Sequence, residues 1–261
     1  MKAREPLHLL ILGGTGEARV LAEAALERFG QSLRVTTSLA GRTSAPSEPK
    51  GALRRGGFGG AAGLAAYLEA ARVDLVLDAT HPFATRISAA ARAASHARGV
   101  PLLTLVRPHW RAQSGDRWIE AVDAAEAASM LPQLGRRVFL TIGQRGIAAF
   151  SHISGMHFLV RLIDPPAAPL PLRSYDLVFG RGPFTLESER LIMARHAIDV
   201  LVAKASGGAA TAAKLDAART LRIPVIMLRR PEREADFAVE RIADALDWIA
   251  GQFHERMEVE R

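Results

Sequence analysis

The sequence predicts an α/β protein of two similar units, each an open, mostly parallel sheet with flanking helices, and an active-site cleft between them. Three observations carry this. Short apolar runs alternate with alanine-rich helical stretches along all 261 residues, the pattern of parallel strands joined by helices. The first apolar run, residues 7–12, ends in Gly13-Gly14-Thr15-Gly16-Glu17, a strand–glycine turn–helix start. The second half of the chain then repeats the plan of the first.

In order, residues 7–12 read as a buried strand and 17–28 as a helix with Val20, Leu21, Ala24 and Ala25 on one face. Residues 33–37 read as a second strand, followed by Ser38-Leu39-Ala40-Gly41-Arg42-Thr43. A loop at 46–50 leads to a short segment, 53–60, that ends in a glycine cluster. A helix over 61–71 precedes the strand 73–78, its turn Ala79-Thr80-His81-Pro82-Phe83, the helix 85–98 and the strand 101–106.

The repeat is visible in two blocks. Asp74 opens a strand, turn, helix and strand that end in Val106-Arg107-Pro108. Asp199 opens the same series, through Lys204-Ala205-Ser206-Gly207-Gly208 and a helix over 209–221, to Arg229-Arg230-Pro231. Pro101 and Pro224 each stand seven residues before that final proline. Working back, 137–142 with Gly143-Gln144-Arg145-Gly146 mirrors the opening strand and turn. Residues 157–163 and 177–182 mirror the second and third strands. The expectation is two Rossmann-like domains, 1–132 and 133–261, joined near 130–136. A short strand and a helix over 240–252 close the chain.

Composition narrows the function classes. There is no cysteine, which excludes disulfides and thiolate metal sites and fits a cytoplasmic location. No apolar run approaches a membrane span of about 18 residues, and the N-terminal run is too short for a signal peptide. The net charge is +7, carried almost entirely by arginine; the lysines are Lys2, Lys50, Lys204 and Lys214. The arginines are scattered without an aromatic platform, which counts against nucleic acid and leaves a solvated surface or a cleft for an acidic ligand.

The turns at strand ends carry the candidate chemistry, because ligands of open α/β sheets bind beyond the carboxyl ends of the strands. Glycines let backbone approach a phosphate, and a helix N-terminus offers free N–H groups. An NAD site would place Asp or Glu at the end of the second strand, about 20 residues after the glycine turn. Ser38 and Arg42 stand there instead and suit the 2′-phosphate of NADP, unless Arg42 is one more surface arginine. Ser206-Gly207-Gly208 can donate to phosphate with Lys204 beside it as a point charge. His81-Pro82 either fixes an imidazole for proton donation or stabilises its turn. Glu17 complements the dipole of the first helix.

Other constellations are missing. Tyr67 and Tyr175 are followed four residues on by Ala71 and Phe179, not by the lysine of short-chain reductases; there is no Gly-x-Ser-x-Gly elbow. The histidines lack helical metal spacing, so no metal site is expected. Chemistry carried by a cofactor, such as hydride transfer, is favoured.

Four motifs in order, Ile11-Leu12-Gly13-Gly14-Thr15-Gly16-Glu17, Asp78-Ala79-Thr80-His81-Pro82-Phe83-Ala84, Thr141-Ile142-Gly143 and Lys204-Ala205-Ser206-Gly207-Gly208, resemble the precorrin-6A reductase family of cobalamin biosynthesis. The resemblance runs from about Leu7 to Pro231. Asp-Ala-Thr-His-Pro-Phe-Ala is its most specific part, and Ala205 departs from the asparagine more usual there. The resemblance implies an NADPH-dependent oxidoreductase that passes hydride to the precorrin-6A macrocycle, with a proton added at the neighbouring carbon. The expected arrangement is NADPH across the cleft, with Gly14, Thr15 and Gly16 on its phosphates or ribose and Ser38 and Arg42 on its 2′-phosphate. Thr80, His81, Ser206 and Gly207 would line the opposite wall, and His81 and Lys204 are the candidate proton donors or electrostatic activators. The partners implied are the tetrapyrrole and, transiently, neighbouring pathway enzymes. The alternatives are another NADP-dependent reductase of a polyacidic substrate, or a non-catalytic nucleotide-binding protein.

Overall fold

The computed structural model describes residues 5–39 and 50–259. The first half runs β1 (Leu7–Leu12), α1 (Gly16–Phe29), β2 (Leu33–Leu39), β3 (Ala52–Arg55), α2 (Ala61–Ala70), β4 (Leu75–Asp78), α3 (Thr85–Arg98) and β5 (Leu102–Leu105). The second begins with β6 (Trp118–Ala121), α4 (Ala124–Met130), β7 (Arg137–Leu140), a 3₁₀ segment (Gln144–Phe150), β8 (His157–Leu162) and β9 (Tyr175–Phe179). It continues with α5 (Leu186–Arg195), β10 (Val200–Lys204), α6 (Ala213–Thr220), β11 (Val225–Leu228), β12 (Ala238–Val239) and α7 (Ile242–Val259).

Two six-stranded sheets result, ordered β12-β5-β4-β1-β2-β3 and β6-β11-β10-β7-β8-β9. The strand pairings in both are parallel. In the first sheet the central strand β1 is buried along its whole length, as a strand covered on both faces must be. Its alternate residues serve different layers. Leu9 and Ile11 pack with Leu21 and Ala25 of α1 and with Ala245 and Ile249 of α7. Leu10 and Leu12 pack with Leu64 and Leu68 of α2 and with Ala91 and Ala94 of α3. In the second unit Phe139, Leu201, Ala203, Val225 and Met227 form a core with Met193 of α5 and Leu215, Ala217 and Ala218 of α6.

The duplication holds down to individual bonds. The carbonyl of Pro101 accepts from Val76 N–H at 2.9 Å, and that of Pro224 accepts from Leu201 N–H at 3.0 Å. Arg72 (φ +50°) and Ala197 (φ +46°) are left-handed at the same place, two residues before Asp74 and Asp199.

The division expected at 132/133 is corrected. One compact unit is Met1–Arg107 with Pro231–Arg261, and the other is Pro108–Arg230. The reason is an exchange of edges. The strand that follows β5 in the chain, β6, pairs with β11 of the second sheet. The strand that follows β11, namely β12, pairs with β5 of the first. The helix after each strand goes with it, α4 beside β11 and α7 beside β5 and α1.

Smaller differences have local causes. The helix expected over 209–221 is split, with a 3₁₀ turn at Ala209–Thr211 before α6, because Gly207 and Gly208 have positive φ and delay helical geometry. The strand expected at 177–182 is β9, which begins two residues earlier and ends three residues earlier. The elements β6, α4 and α5 were not expected; α4 and α5 are capped by Asp123 and Thr185.

Candidate active site

In the first unit three turns converge at the carboxyl ends of β1, β2 and β4. Gly13 N–H donates to the Ser38 carbonyl at 3.0 Å, and a Cβ at Gly13 would stand 2.9 Å from Thr37 Cγ2. Gly14, at φ +100°, and Gly16 are exposed, with no heavy atom within 4 Å of where a Cβ would be. Thr15 caps α1: its Oγ1 accepts from Ala18 N–H at 3.1 Å and donates to the Ala79 carbonyl at 2.7 Å. That hydroxyl therefore ties the glycine turn to the β4 turn. Glu17, in the first turn of α1, forms a 2.7 Å ion pair with Arg107 just after β5.

The β4 turn is built on a buried ion pair. Asp78, 2% exposed, faces Arg233, 11% exposed. The other carboxylate oxygen accepts from Thr80 N–H at 3.0 Å and Thr80 Oγ1 at 2.6 Å. Arg233 also donates to Thr80 Oγ1 at 3.1 Å and to Ser88 Oγ. Thr80 is buried, and its hydroxyl is committed to this cluster. His81 is half-buried; its Nδ1 accepts from Phe83 N–H at 3.2 Å, so the proton of the neutral ring sits on Nε2.

At the end of β2, Ser38 is buried and its Oγ lies 3.5 Å from Arg54 Nη1. Arg54 donates to the carbonyls of Gly56 at 2.6 Å and Gly57 at 3.0 Å and stacks 3.7 Å from the Phe58 ring centroid. Arg42 lies outside the described residues.

In the second unit the turn after β10 is similarly braced. Lys204 is half-buried; burial pushes its pKa down and Arg145, in the turn after β7, adds to that. Ser206 is buried and its N–H donates to the Lys204 carbonyl at 2.7 Å. Gly207 has φ +66°, and a Cβ there would lie 2.2 Å from the Pro108 carbonyl oxygen. The Gly208 carbonyl accepts from Trp110 Nε1 at 2.9 Å, and the Ala205 carbonyl accepts from Arg230 Nε at 3.1 Å. Behind Trp110, the Lys214 ammonium lies 5.4 Å from the ring centroid. The bidentate pair of Arg161 with Glu189 (2.6 and 2.9 Å) is nearly buried.

The structure thus groups Gly14, Thr15, Gly16, Ser38, Thr80 and His81 at one sheet end, and Lys204, Ser206 and Gly207 at the other unit's equivalent end. Gly14 and Gly16 are open to a ligand, whereas Thr15 and Thr80 spend their hydroxyls on the protein itself. Sequence reasoning missed Arg54, Arg107, Trp110, Arg230 and Arg233 as braces of these turns. The Arg-Pro pair that ends both repeats was the available signal. Among the described residues no group of three or more His, Asp or Glu is placed to hold a metal ion, and no helix is long and apolar enough to cross a membrane.

Comparison with known proteins bears on this arrangement. The family model described as "Precorrin-6x reductase CbiJ/CobK" matches residues 8–250. The chain is 50% identical to the precorrin-6A reductase of Rhodococcus erythropolis, over 92% of this chain and 96% of that protein. It is 44% identical to the precorrin-6A reductase of Rhodobacter capsulatus, over 93% and 95%. The cobalt-precorrin-6A reductase of Salmonella typhimurium is 28% identical over 85% and 87%. A solved structure of CobK precorrin-6A reductase superposes with a TM-score of 0.89 at 43% identity, covering 94% of this chain and 97% of that one.

Proposed function

The chain belongs to the precorrin-6x reductase CbiJ/CobK family and is an oxidoreductase, and from that premise we propose that it reduces precorrin-6A with NADPH in cobalamin biosynthesis. The cofactor, when bound, supplies a hydride to the macrocycle. The product is the dihydro ring (precorrin-6B), with a proton added at the adjacent carbon. Identity is 42–50% to relatives named precorrin-6A reductase and 24–28% to those named cobalt-precorrin-6A reductase, which favours the cobalt-free ring as substrate.

The observation that carries the cofactor assignment is the open backbone at Gly14 and Gly16. A capped helix start with no Cβ in the way at Gly14 or Gly16 fits a pyrophosphate or ribose. Thr15 holds that turn in place. Ser38 and Arg42 are the proposed 2′-phosphate pair, with Arg54 adding positive charge beside Ser38. Gly207 and Ser206 present backbone after β10. Thr80 supports its turn, and His81, with its Nε2–H as a hydrogen-bond donor, is proposed to activate the ring electrostatically. To donate the proton itself it would first have to become the imidazolium, which gives up the Phe83 N–H contact at Nδ1. Lys204, held near Arg145, contributes positive field that suits a ring fringed with acetate and propionate groups, as does the net charge of +7. The reading includes a cytoplasmic setting and brief contacts with neighbouring pathway enzymes.

The test is anaerobic mixing with precorrin-6A and NADPH, following ring and nicotinamide absorbance together. Matched loss of both signals is expected, with NADH a much poorer donor. An unchanged nicotinamide signal overturns the reductase reading, and equal use of NADH overturns the 2′-phosphate assignment.

A further inference from the structure

The segment that follows β11 has one arginine in each unit's turn. Arg230 donates to the Ala205 carbonyl beside Lys204. Three residues on, Arg233 enters the β4 turn, 155 positions from Asp78 in sequence. A single nitrogen, Nη2, stands within hydrogen-bond reach of Asp78, Thr80 and Ser88. These acceptors lie together in one turn. Asp78 takes both polar hydrogens of Thr80, and Thr80 Oγ1 lies 3.4 Å from Ser88 Oγ. Ser88 Oγ donates to the Ala84 carbonyl at 3.4 Å, and Ala84 N–H donates to the His81 carbonyl at 2.7 Å. Phe83, inside the loop, donates its N–H to His81 Nδ1.

We propose that Arg233 is a positioning residue that holds the Asp78–Ser88 loop closed, so that His81 is kept as the Nε2–H tautomer with a fixed ring orientation. This rests on the reading of His81 as the group that serves the substrate. Bonds within the turn join near neighbours, and Arg233 ties its two ends, Asp78 and Ser88, through one nitrogen. Asp78 is buried and anionic, and a buried carboxylate needs a cation to keep its geometry. The guanidinium supplies that charge, with its Nη2 within reach of all three acceptors.

The experiment compares the parent protein with Arg233→Ala and Arg233→Lys by two independent readouts. The first is the ¹⁵N shifts of the His81 ring, assigned by loss of the signal in His81→Gln. The second is single-turnover and steady-state reduction of precorrin-6A by NADPH. In the neutral ring of the parent, a bare Nδ1 and a protonated Nε2 are expected. Arg233→Ala is expected to mix the tautomers and lower kcat by about a hundredfold, with a smaller change in KM for NADPH. Added guanidinium should restore part of both, and Arg233→Lys, which keeps a cation, should retain more of both than Arg233→Ala. If Arg233→Ala does not fold, Ser88→Ala, which keeps the ion pair, should show the same tautomer mixing with a smaller loss of kcat. Unchanged His81 shifts and kcat in a folded variant overturn the proposal. If the parent itself does not reduce precorrin-6A, the functional reading fails, while the nitrogen shifts still decide whether Arg233 fixes His81.

Discussion

Asp74 and Asp199 occupy the same place in the two units. Asp74 Oδ2 accepts the His8 backbone N–H at 2.7 Å, and Asp199 accepts those of Arg136 at 3.0 Å and Arg137 at 2.9 Å. Each carboxylate sets where the central strand, β1 or β7, starts against its neighbour. Hydrogen bonds to a charged acceptor are worth about 1.5–3 kcal/mol. Asp199→Ala and Asp74→Ala should therefore each lower stability by at least that amount. Urea unfolding of the two variants checks it. Gly135→Ala should mimic Asp199→Ala, since its Cβ would stand 2.3 Å from Asp199 Oδ1.

Two glycines separate structural from ligand roles. Gly16 has ordinary φ and free space around a Cβ, so Gly16→Ala should melt like the parent. If phosphates approach that backbone, the same variant should bind NADPH about tenfold more weakly, roughly 1.4 kcal/mol. Gly207→Ala carries positive φ and a clash with Pro108, and should lose stability by about 1–3 kcal/mol whether or not cofactor is present. Calorimetric NADPH titration alongside thermal melts reads both. Normal NADPH affinity in Gly16→Ala would remove the glycine turn from the cofactor site.

Lys214, in α6, is 6% exposed, and its pKa is pushed down to about 8. Burial is the main cause, with Arg161 adding and Glu189 opposing. Its unfolded value is 10.5, so between the two the unfolded chain holds more protons, and stability rises with pH across that window. The span corresponds to about 3 kcal/mol. Lys214→Met should be more stable than the parent at pH 7, and the gap should close as pH rises from about 8 toward 10.5. Parallel curves for parent and variant would mean that the ammonium is hydrated.

His8 works in the opposite range. It is buried in β1, its Nε2 lies 2.8 Å from Thr36 Oγ1, and burial, assisted by Arg34, holds its pKa below the usual 6.5. The folded protein therefore resists protonating it. Stability present above pH 6.5 is lost as pH falls through the folded value. His8→Gln should weaken this acid sensitivity, read from urea midpoints between pH 7.5 and 5. An unchanged acid profile would assign the loss to other groups.

Much of this architecture was legible because it depends on neighbours in sequence. β1 is an apolar run broken only by His8 and followed by a glycine turn, and the twin prolines mark strands whose carbonyls the structure shows in matching bonds. β6 was not legible. Trp118-Ile119-Glu120-Ala121 becomes a strand only beside Val225–Leu228, more than a hundred residues away, and β12 is two residues long. The site divides the same way. Gly14, Gly16 and Gly207 follow from backbone demands that a local pattern records. The commitments of Thr15 to Ala79 and of Thr80 to Asp78 and Arg233 are tertiary, so both threonines read as ligand contacts until their partners were in place. Arg233 takes its role from a turn 145–155 positions away, and Trp110 from one 98 positions away.

The exchange of edge strands sets an order of events at the ribosome. Pro108–Arg230 is one uninterrupted stretch, and all six strands of its sheet have emerged once β11 is made. The first sheet begins earlier yet finishes later, because β5 has no outer neighbour until residues 238–239 appear. Through most of synthesis that flank is an open strand edge with apolar Leu103 and Leu105, the kind of surface that recruits stray chains. The nascent protein is therefore most exposed to misassembly just before its last helix, α7, is released. Truncation near the C-terminus should harm the N-terminal sheet first.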